Sequence, residues 1–263
     1  MSAARPLMKE RSFRMSLFQP NVRRAPRPRN AEESALSRDR IVATALKLID
    51  AQGLEAFSLR AVAKELGVYP TALYWHVPSR NELVVEIISD VLADIVPPGE
   101  LPWEAWIRAF LHGFRAAILR HPNVAPLIGV QLVSNASVDL TMIERILAKL
   151  TEAGFEGERL VAAYNAVLGS AVGYITQEFA MVLSDDTERW MQRMTHLIST
   201  IDAERYPVLA AHRETMINRS FILRWENGAT VPLDGGFDFH TDLLIAGLKA
   251  LGETDRNAAA SPA

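Results

Sequence analysis

Five polar or aromatic side chains crowd into one short stretch of the chain, where they could bind a partner through hydrogen bonds and ring contacts. They are Tyr69, Thr71, Tyr74, Trp75 and His76. Hydroxyl, indole and imidazole groups can donate hydrogen bonds to phosphate oxygens and to the edges of nucleic-acid bases. Such binding needs a short helix that holds these side chains outward, and the flanking residues predict one.

Two short helices joined by a tight turn are predicted here. Ser58 can cap the first helix, and Gly67 follows it where a helix C-terminus favours positive φ. Pro70 suits the first turn of the second helix, because its missing N–H would have had no partner there. Val68 and Leu73 would seat the second helix against its neighbours. The pattern indicates a helix-turn-helix, whose second helix can enter the major groove of DNA.

The run from Ile41 to Leu83, above all LGVYPTALYWHVPSRNEL, closely resembles the DNA-binding domain of the tetracycline repressor (TetR) family. The resemblance is strong over residues 37–96 and weaker over the remainder. It implies an all-α fold, with an N-terminal three-helix helix-turn-helix domain joined to a helical ligand-binding and dimerisation core. We therefore expect a cytoplasmic transcriptional regulator, a repressor rather than an activator, which binds a palindromic operator in double-stranded DNA as a homodimer. A small, mostly hydrophobic effector would release it.

The same resemblance implies which residues contact DNA. Arg60 would reach a base edge or a phosphate, residues 69–72 would read bases, and Arg80 would bind a phosphate. The complete expected set is Ser58, Arg60, Tyr69, Pro70, Thr71, Ala72, Tyr74, His76 and Arg80. Trp75 could face outward with them, but the favoured interpretation places it in the core with Leu73 and Val77.

Prolines and a glycine in PPGELP, residues 97–102, predict a domain boundary. The expected divisions are a disordered basic arm at 1–34, the helix-turn-helix domain at 35–96, the ligand-binding and dimerisation domain at 103–252, and a disordered tail at 253–263. Apolar spacing beyond the boundary predicts helices near 103–120, 138–153, 157–182, 187–202, 207–225 and 237–251. The resemblance implies that the long helix and the last helix pair with their copies in a dimer.

Large apolar side chains in this second region could line an effector pocket. A mostly apolar lining with few polar anchors suits a bulky hydrophobic ligand. The candidates are Trp103, Trp106, Phe110, Phe114, Met142, Gln177, Met181 and Trp190. Aromatic residues at helical spacing are also typical of an ordinary core, and that alternative stays open for each of them.

We expect neither a metal site nor a cofactor. Tetracycline repressors hold a magnesium–drug chelate with histidines that follow the fourth helix, whereas this chain reads ADIVPPGELP there. Tetracycline with magnesium is therefore not the expected effector. The chain has no cysteine, which excludes disulfides and thiolate metal sites.

The net charge is −3, but its distribution is uneven. Residues 1–30 carry eight Lys and Arg side chains against a single Glu, a local charge of +7. This segment could contact phosphates or could be a solvated leader, and the sequence leaves both open.

Two other functional classes compete with a DNA-binding regulator. An enzyme finds little support, because the chain lacks a Gly-x-Ser-x-Gly elbow, a phosphate-binding glycine loop and a His-Glu-x-x-His motif. A helical partner-binding protein that has lost DNA binding is the other alternative. The uncharged helical run from Leu160 up to Glu178 is interrupted by polar residues and falls short of a membrane span, so no membrane partner is expected.

Overall fold

A computed structural model of the protein describes residues 36–128, 140–180 and 186–259, and these residues form α-helices without any strand. The expected all-α fold is confirmed. The basic arm at 1–34 lies outside the described residues. The helices are α1 (Arg38–Gln52), α2 (Leu59–Leu66), α3 (Pro70–Leu73), α4 (Arg80–Val91), α5 (Trp103–Arg120), α6 (Leu140–Glu152), α7 (Gly157–Glu178), α8 (Thr187–Ser199), α9 (Pro207–Met216) and α10 (Asp234–Ala259).

Serine caps begin three of the first four helices. The hydroxyl of Ser37 accepts a hydrogen bond from the Arg40 N–H, that of Ser58 from Ala61, and that of Ser79 from Glu82, at 3.1–3.2 Å. Each cap satisfies a backbone donor that the helix itself leaves unpaired. Gly67 ends α2 in the left-handed region, at φ 69° and ψ 28°. The predicted cap at Ser58 and the predicted helix end at Gly67 are confirmed.

The helix α5 is the centre of the second half of the chain, where it packs against α6, α7 and α10. One face carries a fully buried aromatic column. Trp106 stacks on Phe110 with ring centroids 5.5 Å apart, and Phe110 meets Phe114 edge-on at 6.3 Å. Burial of such large rings is the main source of stability available to this region.

The opposite side of α5 carries a buried ion pair. Arg115 donates two hydrogen bonds to the Glu178 carboxylate, from Nε at 2.8 Å and from Nη2 at 2.6 Å. Arg115 is 6% exposed and Glu178 is 0% exposed. The carboxylate also accepts the Leu233 N–H, and Asp234 lies 2.8 Å from Arg115 Nη1. One pair therefore joins α5, the end of α7 and the start of α10.

The guanidinium of Arg115 stays charged in this setting. Burial alone would lower the pKa of Arg115, but the hydrogen bonds and charges of Glu178 and Asp234 outweigh burial and raise that pKa above its ordinary value. The Arg115 guanidinium also lies over the Phe237 ring, 5.0 Å from its centroid. Arg115 therefore keeps its positive charge at every physiological pH.

The end of α5 also contacts the end of α1. His121 Nδ1 lies 2.8 Å from the Asp50 carboxylate. The Asn123 side-chain amide donates to the carbonyls of Ile49 and Asp50, at 3.0 Å and 3.2 Å. Since the last carbonyls of a helix have no partner within it, Asn123 caps α1 from outside. The helix-turn-helix region is therefore held by α5 as well as by the chain that follows α4.

Several helix limits differ from the predicted ones. The predicted helix at 207–225 ends at Met216, because Asn218 adopts φ 54° and its side chain accepts hydrogen bonds from the N–H groups of Trp225 and Glu226. The long helix ends at Glu178 rather than near 182. The last helix begins at Asp234 and continues to Ala259, so residues 253–259 are helical, which corrects the expectation of a disordered tail there.

The extra turns of α10 have a physical cause. Asp255 forms an ion pair with Arg159 near the start of α7. Gly252 packs so closely on the Ala153 carbonyl that an added Cβ would lie 2.2 Å from the oxygen. These contacts hold the end of α10 in place.

We predict that Arg115→Met lowers the free energy of unfolding by about 3–5 kcal/mol, because it leaves the Glu178 carboxylate buried without its counter-charge. Urea unfolding followed by circular dichroism measures the change. The double variant Arg115→Met/Glu178→Met should recover much of the loss, since it removes both charges.

Arg108→Met is the matched control. Arg108 pairs with Asp242 on the surface, and the two side chains are 43% and 63% exposed. The expected cost is at most about 1 kcal/mol. Equal losses for Arg108→Met and Arg115→Met would contradict a special role for the buried pair.

Candidate DNA-binding surface and effector cavity

The short helix α3 and the turn after it separate buried from exposed residues sharply. Leu73 and Val77 are both 0% exposed and pack into the helix-turn-helix core. Tyr69 is 84% exposed, Tyr74 51% and Trp75 90%. The described part of the chain thus presents three large aromatic side chains to solvent within seven residues. Exposed aromatic clusters of this kind mark binding surfaces.

The interpretation that placed Trp75 in the core is wrong. The helix α3 has only four residues, and the chain then continues as a turn in which the N–H groups of His76 and Val77 both bond to the Leu73 carbonyl. Leu73 and Val77, four residues apart, fall on the same side of this turn. Trp75 lies midway between them and therefore points away from the core.

The other residues expected to contact DNA lie around the same surface. Ser58, Arg60, Thr71 and Arg80 are exposed, while Pro70, Ala72 and His76 are half-buried. The Arg80 guanidinium lies 4.9 Å from the centroid of the Phe57 ring, so a buried aromatic residue orients it. Arg80 also occupies the first position of α4, whose N-terminal dipole favours an anion such as phosphate. Their contacts with DNA stay a prediction.

The candidate effector residues do not form one cluster. Trp103, Trp106, Phe110 and Phe114 belong to α5, and each is at most 7% exposed. They pack closely, but the Trp106 Nε1 atom is buried and has no hydrogen-bond partner among the described residues. Met142 and Trp190 are half-buried, Gln177 is exposed on α7, and Met181 lies outside the described residues.

A cavity of about 490 Å³ opens on the side of α7 that carries Gln177. Residues of α7 form its floor. Phe221 approaches from the loop between α9 and α10, and His240 approaches from α10. Its lining is Ala166, Gly169, Ser170, Gly173, Tyr174, Gln177, Phe221 and His240. Of these, only Gln177 was among the sequence-based candidates. Phe221 and His240 belong to the loop before α10 and to α10 itself. No local motif in the sequence predicts that they meet α7.

Contacts around Tyr174 fix the shape of this cavity. The Tyr174 hydroxyl donates to the Leu233 carbonyl at 3.2 Å, and burial, together with the Glu178 charge, raises the pKa of Tyr174 to about 12. The Phe221 ring lies 5.1 Å from the Tyr174 ring, and the His240 ring lies 5.2 Å from it. Arg224, which donates to the carbonyls of Glu226 and Val231, secures the loop that carries Phe221.

An apolar surface continues from the cavity along α7 and α10. On α10, Phe239 is 71% exposed and Leu243 is 63% exposed, and they lie one turn apart. On α7, exposed Ala162 and Ala166 continue into Gly169 and Gly173, where an added Cβ would meet nothing within 4 Å. We refer to these six residues as the α7–α10 face.

Two kinds of site find no support in the part of the chain that the structure describes. No three His, Asp or Glu side chains lie close enough together there to hold a metal ion. No helix within these ranges is long and apolar enough to cross a membrane.

Comparison with protein families agrees with this architecture. Residues 41–87 match the family described as bacterial regulatory proteins, tetR family, and residues 97–251 match the tetracyclin repressor-like, C-terminal domain. An HTH-type transcriptional regulator of Saccharopolyspora erythraea is 27% identical over 232 residues, which cover 86% of this chain and 89% of that protein.

Solved structures show the same fold. The TetR family protein ActR of Streptomyces coelicolor, in complex with actinorhodin, has a TM-score of 0.61 and 24% identity, covering 83% of this chain and 99% of that one. BioQ of Mycobacterium smegmatis, solved alone and also with its double-stranded DNA operator, has a TM-score of 0.58 and 22% identity, covering 82% and 99%. The chain belongs to the TetR family of DNA-binding transcriptional regulators, which is not a family of enzymes.

Proposed function

We propose that the protein is a ligand-responsive transcriptional repressor, which binds a palindromic operator as a homodimer and is released by a small, mostly apolar effector. Residues 35–96 would read DNA, and residues 103–252 would bind the effector and form the dimer. The observation that carries the proposal is the exposure of Tyr69 and Trp75 beside the fully buried Leu73 and Val77.

DNA binding explains why large side chains face solvent at α3. A short helix seated by two buried residues can enter the major groove, and the residues at its start then reach base edges. In this arrangement Tyr69, Pro70, Thr71 and Ala72 read bases. Tyr74, His76 and Arg80 are expected to contact the DNA backbone. At the neighbouring helix α2, Ser58 and Arg60 are expected to contact bases or phosphates.

A dimer explains the exposed α7–α10 face. Phe239 and Leu243 expose apolar surface that a second copy could cover, and the small residues of α7 would let another helix approach closely. One recognition helix reads only a few base pairs. A two-fold dimer presents two such helices about 34 Å apart, which matches an inverted repeat.

Effector release requires that the ligand bind the DNA-incompetent arrangement more tightly than the competent one. The ion pair of Arg115 with Glu178 and the contact of His121 with Asp50 connect the effector half to α1. A ligand that shifts α7 relative to α5 would therefore change how the helix-turn-helix is held. ActR, whose fold is similar, has been solved with a bound small molecule, actinorhodin.

The first prediction separates binding from folding at α3. Trp75→Ala should weaken DNA binding by about tenfold, because it removes a large ring from the surface that would face DNA. It should change the free energy of unfolding by less than about 0.5 kcal/mol, because Trp75 is 90% exposed. Leu73→Ala should instead destabilise the protein by about 2–5 kcal/mol, since it removes a fully buried side chain. Fluorescence anisotropy with an operator duplex and urea unfolding measure the two effects. A large loss of stability in Trp75→Ala would contradict the surface role.

The second prediction distinguishes phosphate contacts from base contacts. Arg80→Ala should weaken binding to every duplex alike and reduce the slope of log K against log salt by about one. Tyr69→Ala should change the preferred bases, and the binding free energy should change by about 1–3 kcal/mol at the affected positions. Arg193→Ala, which removes an exposed arginine of α8, is the control and should change neither quantity. Equal losses for Arg80→Ala and Tyr69→Ala on all sequences would refute this division of roles.

The third prediction concerns the dimer. Leu243→Glu places a charge in the centre of the α7–α10 face and should convert the protein to a monomer at micromolar concentration. Lys249→Glu, on the polar flank of the same helix, should leave it dimeric. Sedimentation velocity distinguishes the two states. If Leu243→Glu sediments as a dimer, this face is not the interface.

A further inference from the structure

We propose that Phe57 is a positioning residue for DNA binding, which holds the Arg80 guanidinium where a phosphate of the operator would meet it, and that the end of α5 controls its placement. Phe57 itself is 3% exposed and cannot reach DNA. This inference rests on the proposed function and deepens it, because it names how the effector half would regulate one DNA contact.

Arg80 stands where its own helix disfavours a positive charge. It is the first residue of α4, and the N-terminus of a helix carries partial positive charge, which favours acidic side chains there. Among the described residues its guanidinium forms no salt bridge, whereas Arg38 of α1 pairs with Glu86 of α4 at 3.2 Å. Two positive groups, the guanidinium and the helix N-terminus, therefore face solvent together, and a phosphate would pair with both.

The Phe57 ring is the contact that restrains Arg80. The guanidinium carbon lies 4.9 Å from the ring centroid, within the distance at which a cation is attracted to an aromatic face. A flat guanidinium loses less conformational entropy on binding a phosphate when it is already held in one orientation. Any large apolar side chain could fill the core at position 57, but only an aromatic ring offers this contact.

A short hydrogen-bonded turn fixes Phe57 to the end of α1. The N–H of Gly53, which closes α1, donates to the Ile49 carbonyl at 2.8 Å, and the 3₁₀ turn Leu54–Ala56 follows at once. The N–H of Phe57 then donates to the Leu54 carbonyl at 3.2 Å. Because these bonds restrain the backbone between Ile49 and Phe57, a displacement at the end of α1 would move the ring.

The chain that follows α5 binds the same carbonyl. The Asn123 side-chain amide donates to the Ile49 carbonyl at 3.0 Å and to the Asp50 carbonyl at 3.2 Å, and His121 Nδ1 lies 2.8 Å from the Asp50 carboxylate. The Ile49 carbonyl thus accepts hydrogen bonds from the end of α1 and from the effector half at once. A shift at the end of α5 would therefore reach Arg80 through Ile49, the turn and Phe57. Measured coupling between these residues tests such a route.

The simpler alternative is that Phe57 only fills the core. Its ring would then support the whole helix-turn-helix, and its loss would weaken DNA binding whether or not Arg80 is present. The positioning role differs, because Phe57 would act on DNA only through the Arg80 guanidinium. Phe57→Leu keeps an apolar side chain and removes the ring. Measuring this variant with Arg80 present and in the Arg80→Ala background therefore separates the two roles.

Fluorescence anisotropy with the duplex that the unaltered protein selects from random DNA is the measurement. Phe57→Leu should weaken binding about three- to fivefold and lower the slope of log K against log salt by up to about one, since the phosphate contact depends on the held guanidinium. In the Arg80→Ala background it should have no further effect. Asn123→Ala should weaken binding by about threefold, and that loss should disappear in the Phe57→Leu background.

Two variants are the matched controls. Val62 is a fully buried residue of α2, so Val62→Ala loosens the same core, and any effect on binding should be the same in the Arg80→Ala background. Thr151→Ala removes a side-chain hydrogen bond to the Leu147 carbonyl within α6 and should leave binding unchanged. Urea unfolding checks that each variant is folded. Phe57→Met also removes the ring and takes the place of Phe57→Leu if that variant fails to fold.

The positioning role is overturned if Phe57→Leu leaves binding unchanged, or weakens it equally with Arg80 present and in the Arg80→Ala background. Control by α5 is overturned if Asn123→Ala leaves binding unchanged or weakens it by the same factor in the Phe57→Leu background. Selection of an inverted repeat by the unaltered protein alongside either outcome would leave the proposed function standing. Selection of no preferred duplex by folded protein would instead contradict the proposed function, and this inference with it.

Discussion

The buried pair of Arg115 and Glu178 is the interaction on which the arrangement of α5, α7 and α10 depends. Removing two charges from water is costly, and only close bidentate geometry with further hydrogen bonds offsets that cost. Both conditions are met: the two direct bonds are 2.6 Å and 2.8 Å long, and the Leu233 N–H occupies another acceptor site of the carboxylate. The pair tolerates little displacement, so α5, α7 and the start of α10 form one rigid junction.

This rigid junction is connected to the helix-turn-helix through α5. The helix α5 carries the junction in its fourth turn and the contacts to α1 just after its last turn, where His121 and Asn123 bind Asp50 and Ile49. A small shift of α7 would therefore be transmitted to the helix-turn-helix through α5. At the other end, the buried Leu73 and Val77 seat the four-residue α3 and the turn after it, while Tyr69, Tyr74 and Trp75 stay exposed.

The predictable parts of the structure are those that local chemistry determines. Serine caps and the left-handed Gly67 depend on hydrogen bonds between residues two to four apart, so the sequence indicates them directly. Trp75 was misplaced because the course of the chain after α3 sets its direction. The cavity could not be inferred either, since Phe221 and His240 meet Tyr174 across separations of tens of residues. Small residues of α7 and the aromatic column of α5 were visible in the sequence, but their partners were not.

The most direct test of the central claim is the selection of bound sequences from random duplex DNA by the full chain at physiological salt. A two-fold dimer with exposed α3 helices predicts enrichment of an inverted repeat, with half-sites centred about one helical turn apart. Recovery of no preferred sequence by folded, dimeric protein would contradict the account and would favour a helical protein that binds another partner through the same surface.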